Sequence, residues 1–349
     1  MMRVAHVITA DSIAGGMESF LVRLAPALAR AGLAQLVITR EGPDLAEQLR
    51  RQGVPVAQHS LRKRDLRSWW GVRRAVARFR PQIVLSWLPR AAQRVPRGPW
   101  VHVAQVGWYR GLDCYDGVER MVLPSPDMVR HFKSLGFAGE ITVLPHFAPT
   151  ERLPPIARDA FDTPADAPVV LGLGRFDPTK GFDLAVRALA SVPQAYLWLA
   201  GEGVQEAELR RLAAELGVAE RVRFLGWRKD VSALLARAAV LVVPSRWQEA
   251  LGLVVLEAWE AGVPVVSTAT PGPSYLIGDD EGGLLVPIDD ADAMAAALRR
   301  LLGDPALAAR LVAGGRKRLA AGFTEAVTVA GYMAYFERVA REAGAAISR

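Results

Sequence analysis

The chain has 349 residues, a length that favours two domains, each large enough to bury its own hydrophobic core. Hydrophobic residues make up 51% of the sequence and charged residues 23%, which is ordinary for a globular protein. The single cysteine, Cys114, excludes an internal disulfide bond and a zinc site built on cysteines. Because the sequence contains no apolar run of about 18 residues and no signal-peptide pattern, we expect a cytoplasmic protein.

The net charge of +7 is concentrated in the first half of the chain. Residues 1–150 hold 21 Lys and Arg against 11 Asp and Glu, whereas the remainder has a balance of −3. The segment 61–80 interleaves cations with Trp69, Trp70 and Phe79, which suits contact with an anionic membrane surface, such as the inner face of the plasma membrane. A solvated helix face with buried aromatic residues is the alternative. No nucleic-acid partner is expected, because no recognisable binding motif accompanies the charge.

Short β-branched runs alternate with helical stretches along the chain, which predicts parallel sheets covered by helices. A helix over 19–32 is expected to end at Gly32. Residues 145–168 contain six prolines and no regular period, which predicts a linker. The predicted strands are 3–8, 34–39, 81–87, 100–106, 120–125 and 141–145 before the linker, and 168–174, 195–201, 222–226, 239–245 and 263–268 after it.

This alternation predicts an α/β fold of two doubly wound, Rossmann-like domains that face each other across an inter-domain cleft. We expect an acceptor-binding domain over 1–155 and a donor-binding domain over 156–325. Residues 326–349 are predicted to form a C-terminal helix that packs back on the first domain. Ligands are expected at the carboxyl ends of the strands.

Two glutamates stand eight residues apart in the stretch 244–266. A helix is predicted to begin after Gly252 and to end at Gly262, so that Glu249 precedes it and Glu257 lies about one turn inside it. The N–H groups of a helix N-terminus attract phosphate, whereas a carboxylate one turn in is suited to accept hydroxyl groups. This combination predicts a sugar nucleotide as ligand. Two solvated carboxylates at a helix end are the alternative.

The segment 172–189 follows the first strand of the second half. Its glycine-containing loop carries two cations, Arg175 and Lys180, that could clamp a diphosphate. The loop does not fit a dinucleotide fingerprint, because Asp177 stands at the third glycine position, nor a P-loop, because the order is Lys180-Gly181. A surface loop with solvated cations remains the alternative. We expect no metal site: the sequence Asp290-Ala291-Asp292 directly precedes a helix and is interpreted as its cap.

Together these segments resemble the retaining glycosyltransferases of family 4, which have the two-domain GT-B fold. The resemblance is carried by GRFDPTKGFDLAVRAL, LAGEG, RVRFLG, PSRWQEALGLVVLEAWEAGVPVVST, GGLLVPIDDADAMAAAL and, in the first half, AGGMESFLVRLAPALARAG. It implies transfer of a sugar from a UDP- or GDP-linked donor to a hydroxyl of a saccharide or lipid-linked acceptor, with retention of configuration and without a metal or other cofactor. The basic, aromatic-bearing first half favours a lipid-linked or polyanionic acceptor, which suggests the hypothesis of a role in lipopolysaccharide or other cell-surface polysaccharide biosynthesis.

The same resemblance implies roles for individual residues. Arg175 and Lys180 would bind the phosphates of the donor and stabilise the leaving diphosphate. Glu257 would hold the ribose hydroxyls, and Glu249 would act on the transferred sugar. Further donor contacts would come from Gly174, from the backbone of Ala250, Leu251, Gly252 and Leu253, and from Gly15 and Gly16 in the first domain.

The chain departs from the family pattern at several positions. Gln105 stands near a common histidine, His146 replaces a frequent asparagine, and Tyr275 replaces a frequent glutamate. These three residues are the candidates for further contacts with the sugar or the acceptor. Two other functions are compatible with the sequence: epimerisation of a sugar nucleotide on the same fold, and non-catalytic binding of a sugar nucleotide or a membrane.

Overall fold

A computed structural model of the chain describes residues 2–13, 15–62, 65–149, 152–157, 159–247, 249–278 and 281–347. The chain forms two compact units. Unit 1 comprises Met1–Phe147 and Thr324–Arg349, and unit 2 comprises Ala148–Phe323. Three residues of the predicted linker, Thr150, Glu151 and Arg158, lie outside the described residues.

Unit 1 contains a seven-stranded parallel sheet in the order β3-β2-β1-β4-β5-β6-β7. The winding direction therefore reverses between β1 and β4, the point at which doubly wound sheets bind ligands. The strands are β1 (Arg3–Ile8), β2 (Ala34–Arg40), β3 (Val56–His59), β4 (Ile83–Trp87), β5 (Val101–Gln105), β6 (Arg120–Leu123) and β7 (Glu140–Val143).

Helices cover both faces of this sheet. They are α1 (Gly16–Arg30), α2 (Pro43–Arg51), α3 (Leu66–Phe79), α4 (Pro89–Ala92) and α5 (Pro126–Ser134). The first helix buries Phe20, Leu24 and Leu28, whose spacing of four residues places them on one face. The chain leaves this helix at Gly32, whose φ of +87° favours glycine.

Unit 2 contains a six-stranded parallel sheet in the order β10-β9-β8-β11-β12-β13. Its strands are β8 (Val169–Leu173), β9 (Tyr196–Ala200), β10 (Val222–Phe224), β11 (Val240–Val243), β12 (Val265–Thr268) and β13 (Leu284–Val286). Its helices are α6 (Phe182–Ala190), α7 (Glu206–Glu215), α8 (Val231–Arg237), α9 (Leu253–Ala261), α10 (Pro271–Ile277), α11 (Ala291–Gly303) and α12 (Pro305–Gly322).

The core of unit 2 lies on both faces of its sheet. Along β8, Val170 belongs to one buried cluster, whereas Val169 and Leu171 belong to the other. This alternation has the period of two expected of a strand, and both sets are apolar because helices cover both faces. The predicted α/β fold with two doubly wound domains is confirmed.

The last helix, α13 (Glu325–Ile347), belongs to unit 1. It buries Tyr332, Phe336 and Val339 in the same cluster as Phe20 of α1. Arg338 of this helix pairs with Glu140 on β7. Among the helices of the described ranges, none has both the length and the apolar character that a bilayer span requires.

Candidate active site

The candidate site of unit 2 lies at the carboxyl ends of β8 and β11. These strands are neighbours in the sheet, and the winding direction reverses between them. The loops that follow them therefore leave the same edge of the sheet side by side, which is where doubly wound sheets bind ligands. The first loop carries Arg175 and Lys180, and the second carries Glu249.

The loop after β8 is built by glycine and by a short capped turn. Gly174, at a φ of +145°, donates its N–H to the carbonyl of Ala200 at 3.1 Å. Asp177 accepts the N–H of Thr179 at 2.9 Å and so caps the turn Pro178–Lys180. The Nη2 atom of Arg175 lies 3.2 Å from Oδ2 of Asp177, and this guanidinium is half exposed. The loop thus presents a cation at the edge of the sheet.

The two loops are held together by close backbone contact. Arg246 donates its N–H to the carbonyl of Thr179 at 2.9 Å. Gly181 has a φ of +63°, and a Cβ at this position would stand 2.2 Å from the carbonyl oxygen of Pro244. Glycine is required here for two reasons, because the backbone is left-handed and because a side chain would collide with the second loop.

The contact between the loops joins Lys180 to Glu249. The Nζ atom of Lys180 donates to Oε2 of Glu249 at 2.6 Å, and the hydroxyl of Ser245 lies 3.4 Å from the same oxygen. Ser245 is itself buried, and its carbonyl accepts the hydroxyl of Thr268 at 2.5 Å. Both ionic side chains are about one-quarter exposed, so the pair is ordered by the protein and still open to a ligand.

Arg246 fixes the second loop from its other side. Its guanidinium forms a forked interaction with both carboxylate oxygens of Asp183 on α6, and its Nε donates to Asp289. These bonds, above all the one with Asp183, raise the pKa of Arg246 further above its ordinary range. This role could not be predicted from the sequence, because both partners are distant in the chain.

The N-terminus of α9 completes the edge of the site. Gly252, at a φ of +86°, is the residue before the helix, and it supplies no side chain to cap the first turn. The first N–H groups of a helix lack intrahelical partners and carry a partial positive charge, which favours anions. Glu257 is the fifth residue of α9 and is half-buried, in agreement with the position predicted from the sequence.

Gly272 supports the backbone of the second loop and was not predicted as a site residue. Its N–H donates to the carbonyl of Glu249 at 2.9 Å, and a Cβ here would lie 2.5 Å from that oxygen. Ala250 and Leu251 are buried, and Leu251 belongs to the core cluster under the site. Their backbone, rather than their side chains, is therefore what the loop can offer to a ligand.

Tyr275 lies on α10, the helix that Gly272 also occupies. Its ring packs edge-on against Phe323 at a centroid distance of 6.1 Å. Its carbonyl accepts a hydrogen bond from Arg318 at 3.0 Å. The structure therefore gives Tyr275 a packing role, and its contact with a sugar stays a prediction.

Unit 1 holds the remaining predicted residues. Gly15 precedes α1 in an extended conformation and accepts the N–H of Ser19 at 3.1 Å, and Gly16 is the first residue of the helix. Gln105 ends β5 with its side chain buried, and its Oε1 accepts the hydroxyl of Tyr332 at 2.7 Å. The contacts predicted for these residues with a ligand stay predictions.

His146 is buried in the core of unit 1. Its ring stacks on Phe20 at a centroid distance of 3.8 Å. Burial, together with the positive charge of Arg23, lowers the pKa of His146 to about 3. The imidazole is therefore neutral at pH 7 and packs as an aromatic ring. Its contact with the acceptor also stays a prediction.

Asp290, which was considered as part of a metal-binding pattern, has a structural role. Asp290 accepts the N–H of Ala293 at 2.8 Å, so its interpretation as the cap of α11 is confirmed. Over the described ranges, no group of three or more His, Cys, Asp or Glu is arranged to hold a metal ion.

Comparison with known proteins identifies the family. Residues 155–318 match the family model described as glycosyl transferases group 1, and residues 14–152 match glycosyltransferase family 4. The chain is 34% identical over 342 residues to the lipopolysaccharide core biosynthesis glycosyltransferase LpsD of Rhizobium meliloti, covering 97% of this chain and 98% of the relative. It is 36% identical over 326 residues to LpsE of the same organism, covering 90% and 94%.

A solved structure has the same fold. The crystal structure of Anabaena Alr3699/HepE in complex with UDP and glucose matches with a TM-score of 0.85 at 18% identity, over 97% of this chain and all of that one. With the two family matches and the full-length relatives, the class is defined: the chain belongs to glycosyltransferase family 4 and has the GT-B fold. The protein is a glycosyltransferase.

Proposed function

We propose that the protein transfers a sugar from a nucleotide-diphosphate donor to a saccharide of the lipopolysaccharide core, with retention of configuration and without a metal ion. The acceptor class is supported by the relatives LpsD and LpsE, both named as lipopolysaccharide core glycosyltransferases. A nucleotide donor is supported by Alr3699/HepE, whose structure holds UDP. The observation that carries the proposal is the contact between Lys180 and Glu249 at the point where the sheet of unit 2 reverses its winding.

The reaction first requires positive groups that neutralise the leaving diphosphate. Negative charge grows on the diphosphate as the anomeric C–O bond breaks, and a transferase without a metal must neutralise it with protein groups. Arg175 and Lys180 supply two cations, and the N-terminus of α9 adds its partial positive charge. Because these groups are already ordered, they require little reorganisation as the bond breaks.

The two glutamates have different roles in this proposal. Glu257, one turn inside α9, accepts hydrogen bonds from the ribose hydroxyls of the donor. Glu249 is held by Lys180 and Ser245, and its backbone is supported by Gly272. We assign to this fixed carboxylate the hydroxyls of the transferred sugar. Its second oxygen, Oε1, is the acceptor available for such a contact.

The transfer step then needs no protein general base. The acceptor oxygen forms its bond to the anomeric carbon on the face from which the diphosphate departs. The electron pair of the broken C–O bond goes to the diphosphate, and the acceptor proton is taken up by a departing phosphate oxygen. Neither Glu249 nor Glu257 gains or loses a proton overall.

The experiment is a transfer assay with the full-length protein, a panel of UDP- and GDP-sugars, and core lipopolysaccharide lacking its outer sugars. Mass spectrometry is expected to show one added sugar on the acceptor with one donor, with or without EDTA. Glu249→Gln is expected to lower the transfer rate while the nucleoside diphosphate still binds. Glu257→Gln is expected to weaken that binding about 10- to 100-fold, the range for a lost hydrogen bond to a charged group.

The other functions give different results in the same assay. An epimerase would change the free sugar nucleotide and leave the acceptor mass unaltered. A binding module would bind the donor with no turnover, and Glu249→Ala would not reduce that binding. Either result would overturn the proposed function.

A further inference from the structure

The helix α3 of unit 1 has an apolar stripe on its solvent side as well as on its core side. Its buried face consists of Ser68, Val72 and Val76, spaced by four residues. On the other side, Leu66 is 75% exposed, Trp69 37% and Trp70 60%. A soluble protein rarely exposes such a group of large apolar side chains unless the group meets a partner.

Positive charge lies beside this stripe, and the sequence on either side of α3 is rich in cations. The guanidinium of Arg73 lies 5.5 Å from the ring centroids of both Trp69 and Trp70, which pack edge to face at 5.1 Å. Leu66, Trp69, Trp70 and Arg73 follow the i, i+3, i+4, i+7 spacing of one helical stripe. We call these four residues the α3 surface. Residues 48–112 contain 14 Lys and Arg, and Asp65 is their single acidic residue.

The carboxylate of Asp65 is already engaged in two hydrogen bonds within unit 1. Its carboxylate caps α3 by accepting the N–H of Ser68 at 3.0 Å, and it also accepts the hydroxyl of Ser60. The bonds from Ser60 and Ser68 hold the pKa of Asp65 below its usual range. The carboxylate therefore serves as the N-cap of α3.

A cavity of about 90 Å³ adjoins the α3 surface. Arg62 and Arg94 contribute cations to its wall, and Leu66 and Trp69 contribute apolar side chains. The volume exceeds the space that one water needs. Two arginines beside an indole suit a phosphodiester, because guanidinium groups donate paired hydrogen bonds to phosphate oxygens.

We propose that the α3 surface docks unit 1 on an anionic phospholipid bilayer, with Trp69, Trp70 and Leu66 in the interface and the arginines on lipid phosphates. A phosphorylated saccharide would also match the charge, but it offers no apolar phase for Leu66 and Trp70. Indole rings and arginines on one helix face are the features of helices that lie in the bilayer interface. This inference concerns a partner and does not depend on the transfer reaction.

The test is flotation of the full-length protein with phosphatidylcholine vesicles, with and without phosphatidylglycerol. Binding is expected only with phosphatidylglycerol and is expected to fall with added salt, because each cation near the surface contributes about fivefold to partitioning. The double variant L66S/W70S keeps every charge and is expected to bind at least tenfold more weakly. Arg73→Gln is expected to bind severalfold more weakly at low salt.

A matched control is available in unit 2. Trp227 is 46% exposed but lies outside the α3 surface, so Trp227→Ser is expected to bind vesicles as the wild type does. Circular dichroism establishes that each variant is folded, and transfer to a short water-soluble acceptor is expected to be unchanged by L66S/W70S. That second readout separates loss of docking from loss of the enzyme.

Three results would overturn the proposal. The wild type would not float with phosphatidylglycerol at low salt, or L66S/W70S would bind as tightly as the wild type. Alternatively, L66S/W70S would convert a dimer to a monomer in sedimentation while leaving flotation unaltered, which would show that the stripe covers a second copy of the chain.

Discussion

Lys180 and Glu249 are 69 residues apart in the sequence, and their side chains form an ion pair of 2.6 Å. The pair exists because β8 and β11 are adjacent parallel strands whose following loops leave the same edge of the sheet. A backbone hydrogen bond from Arg246 to Thr179 fixes the distance between these loops. The cation that we propose for the diphosphate and the carboxylate that we propose for the sugar are thus ordered by each other.

Replacing Lys180 tests whether its positive charge stabilises the leaving diphosphate. In Lys180→Met the leaving diphosphate loses one charged donor, and the loss of one such donor typically costs about 10²- to 10³-fold in kcat. We expect that decrease in steady-state transfer, with little change in thermal stability. Lys317→Met, which removes an exposed lysine from α12, is the matched control. A decrease below tenfold in Lys180→Met would show that this lysine does not stabilise the leaving group.

Replacing Gly181 tests the approach of the two loops. Gly181→Ala has two costs. The new Cβ collides with the carbonyl oxygen of Pro244, and alanine is strained in the left-handed backbone conformation of this position. Gly217→Ala is the matched control, because Gly217 has a similar φ of +67° and no atom within 4 Å of its Cβ. We expect the control to lose about 1–2 kcal/mol of unfolding free energy.

Gly181→Ala should lose about 1–3 kcal/mol more than this control, because its collision is with backbone, which cannot rotate away. Chemical denaturation measures both variants. Equal losses would show that the loops can separate without cost.

Replacing Asp183 tests the support of the second loop. Asp183→Asn removes one charge from the forked interaction with Arg246, and the loop that carries Glu249 becomes less well fixed. We expect a decrease of about tenfold in kcat/KM, since small misplacements of reacting groups are costly. Asp289→Asn is the control: Asp289 is 58% exposed against 20% for Asp183, and we expect less than a twofold effect. A larger decrease in kcat/KM for Asp289→Asn than for Asp183→Asn would show that Asp183 is not the main support of this loop.

The alternation of strands and helices could be predicted from the sequence because most strands are continuous apolar runs. β3 and β13 were not predicted. β3 is an edge strand of four half-buried residues that include Gln58 and His59, and β13 has three residues. β3 contains polar residues, and β13 directly follows Gly282 and Gly283, so the sequence of each strand resembles that of a loop.

The candidate site could likewise be predicted only in part from the sequence. The places of Arg175, Lys180, Glu249 and Glu257 at one edge of the sheet could be predicted, because each pair shares a short segment beside a predicted strand or helix. Their contacts with a ligand stay predictions. The role of Arg246 could not be predicted, because its partner Asp183 is 63 residues away and any exposed arginine has the same local pattern. Gly272 could not be predicted either, since its requirement arises from the backbone of Glu249, which tertiary folding brings near.

Acid should destabilise unit 1 selectively. All five histidines lie in it, and burial is the main cause that lowers the pKa of His146 to about 3 and those of His6 and His102 to about 4. The unfolded chain takes up these protons below pH of about 6.5, whereas the folded unit does not. Unit 1 therefore loses stability as the pH falls from about 6.5 toward 4.

His146→Phe should reduce this dependence while keeping an aromatic ring against Phe20. One histidine accounts for about 2 kcal/mol of lost stability between about pH 7 and pH 5. The variant should therefore show an acid shift in Tm that is smaller by about 4–8 °C in scanning calorimetry. The same acid shift in variant and wild type would show that His146 is protonated in the folded unit.

We propose that the protein transfers a sugar from a nucleotide-diphosphate donor with retention of configuration. The most direct measurement is the NMR spectrum of the purified product, in which the one-bond C1–H1 coupling of the new linkage reports its anomeric configuration. A retaining transferase gives the new linkage the configuration that the sugar has in the donor, and we expect this result. A product of the opposite configuration, or an altered sugar nucleotide with no product, would contradict it.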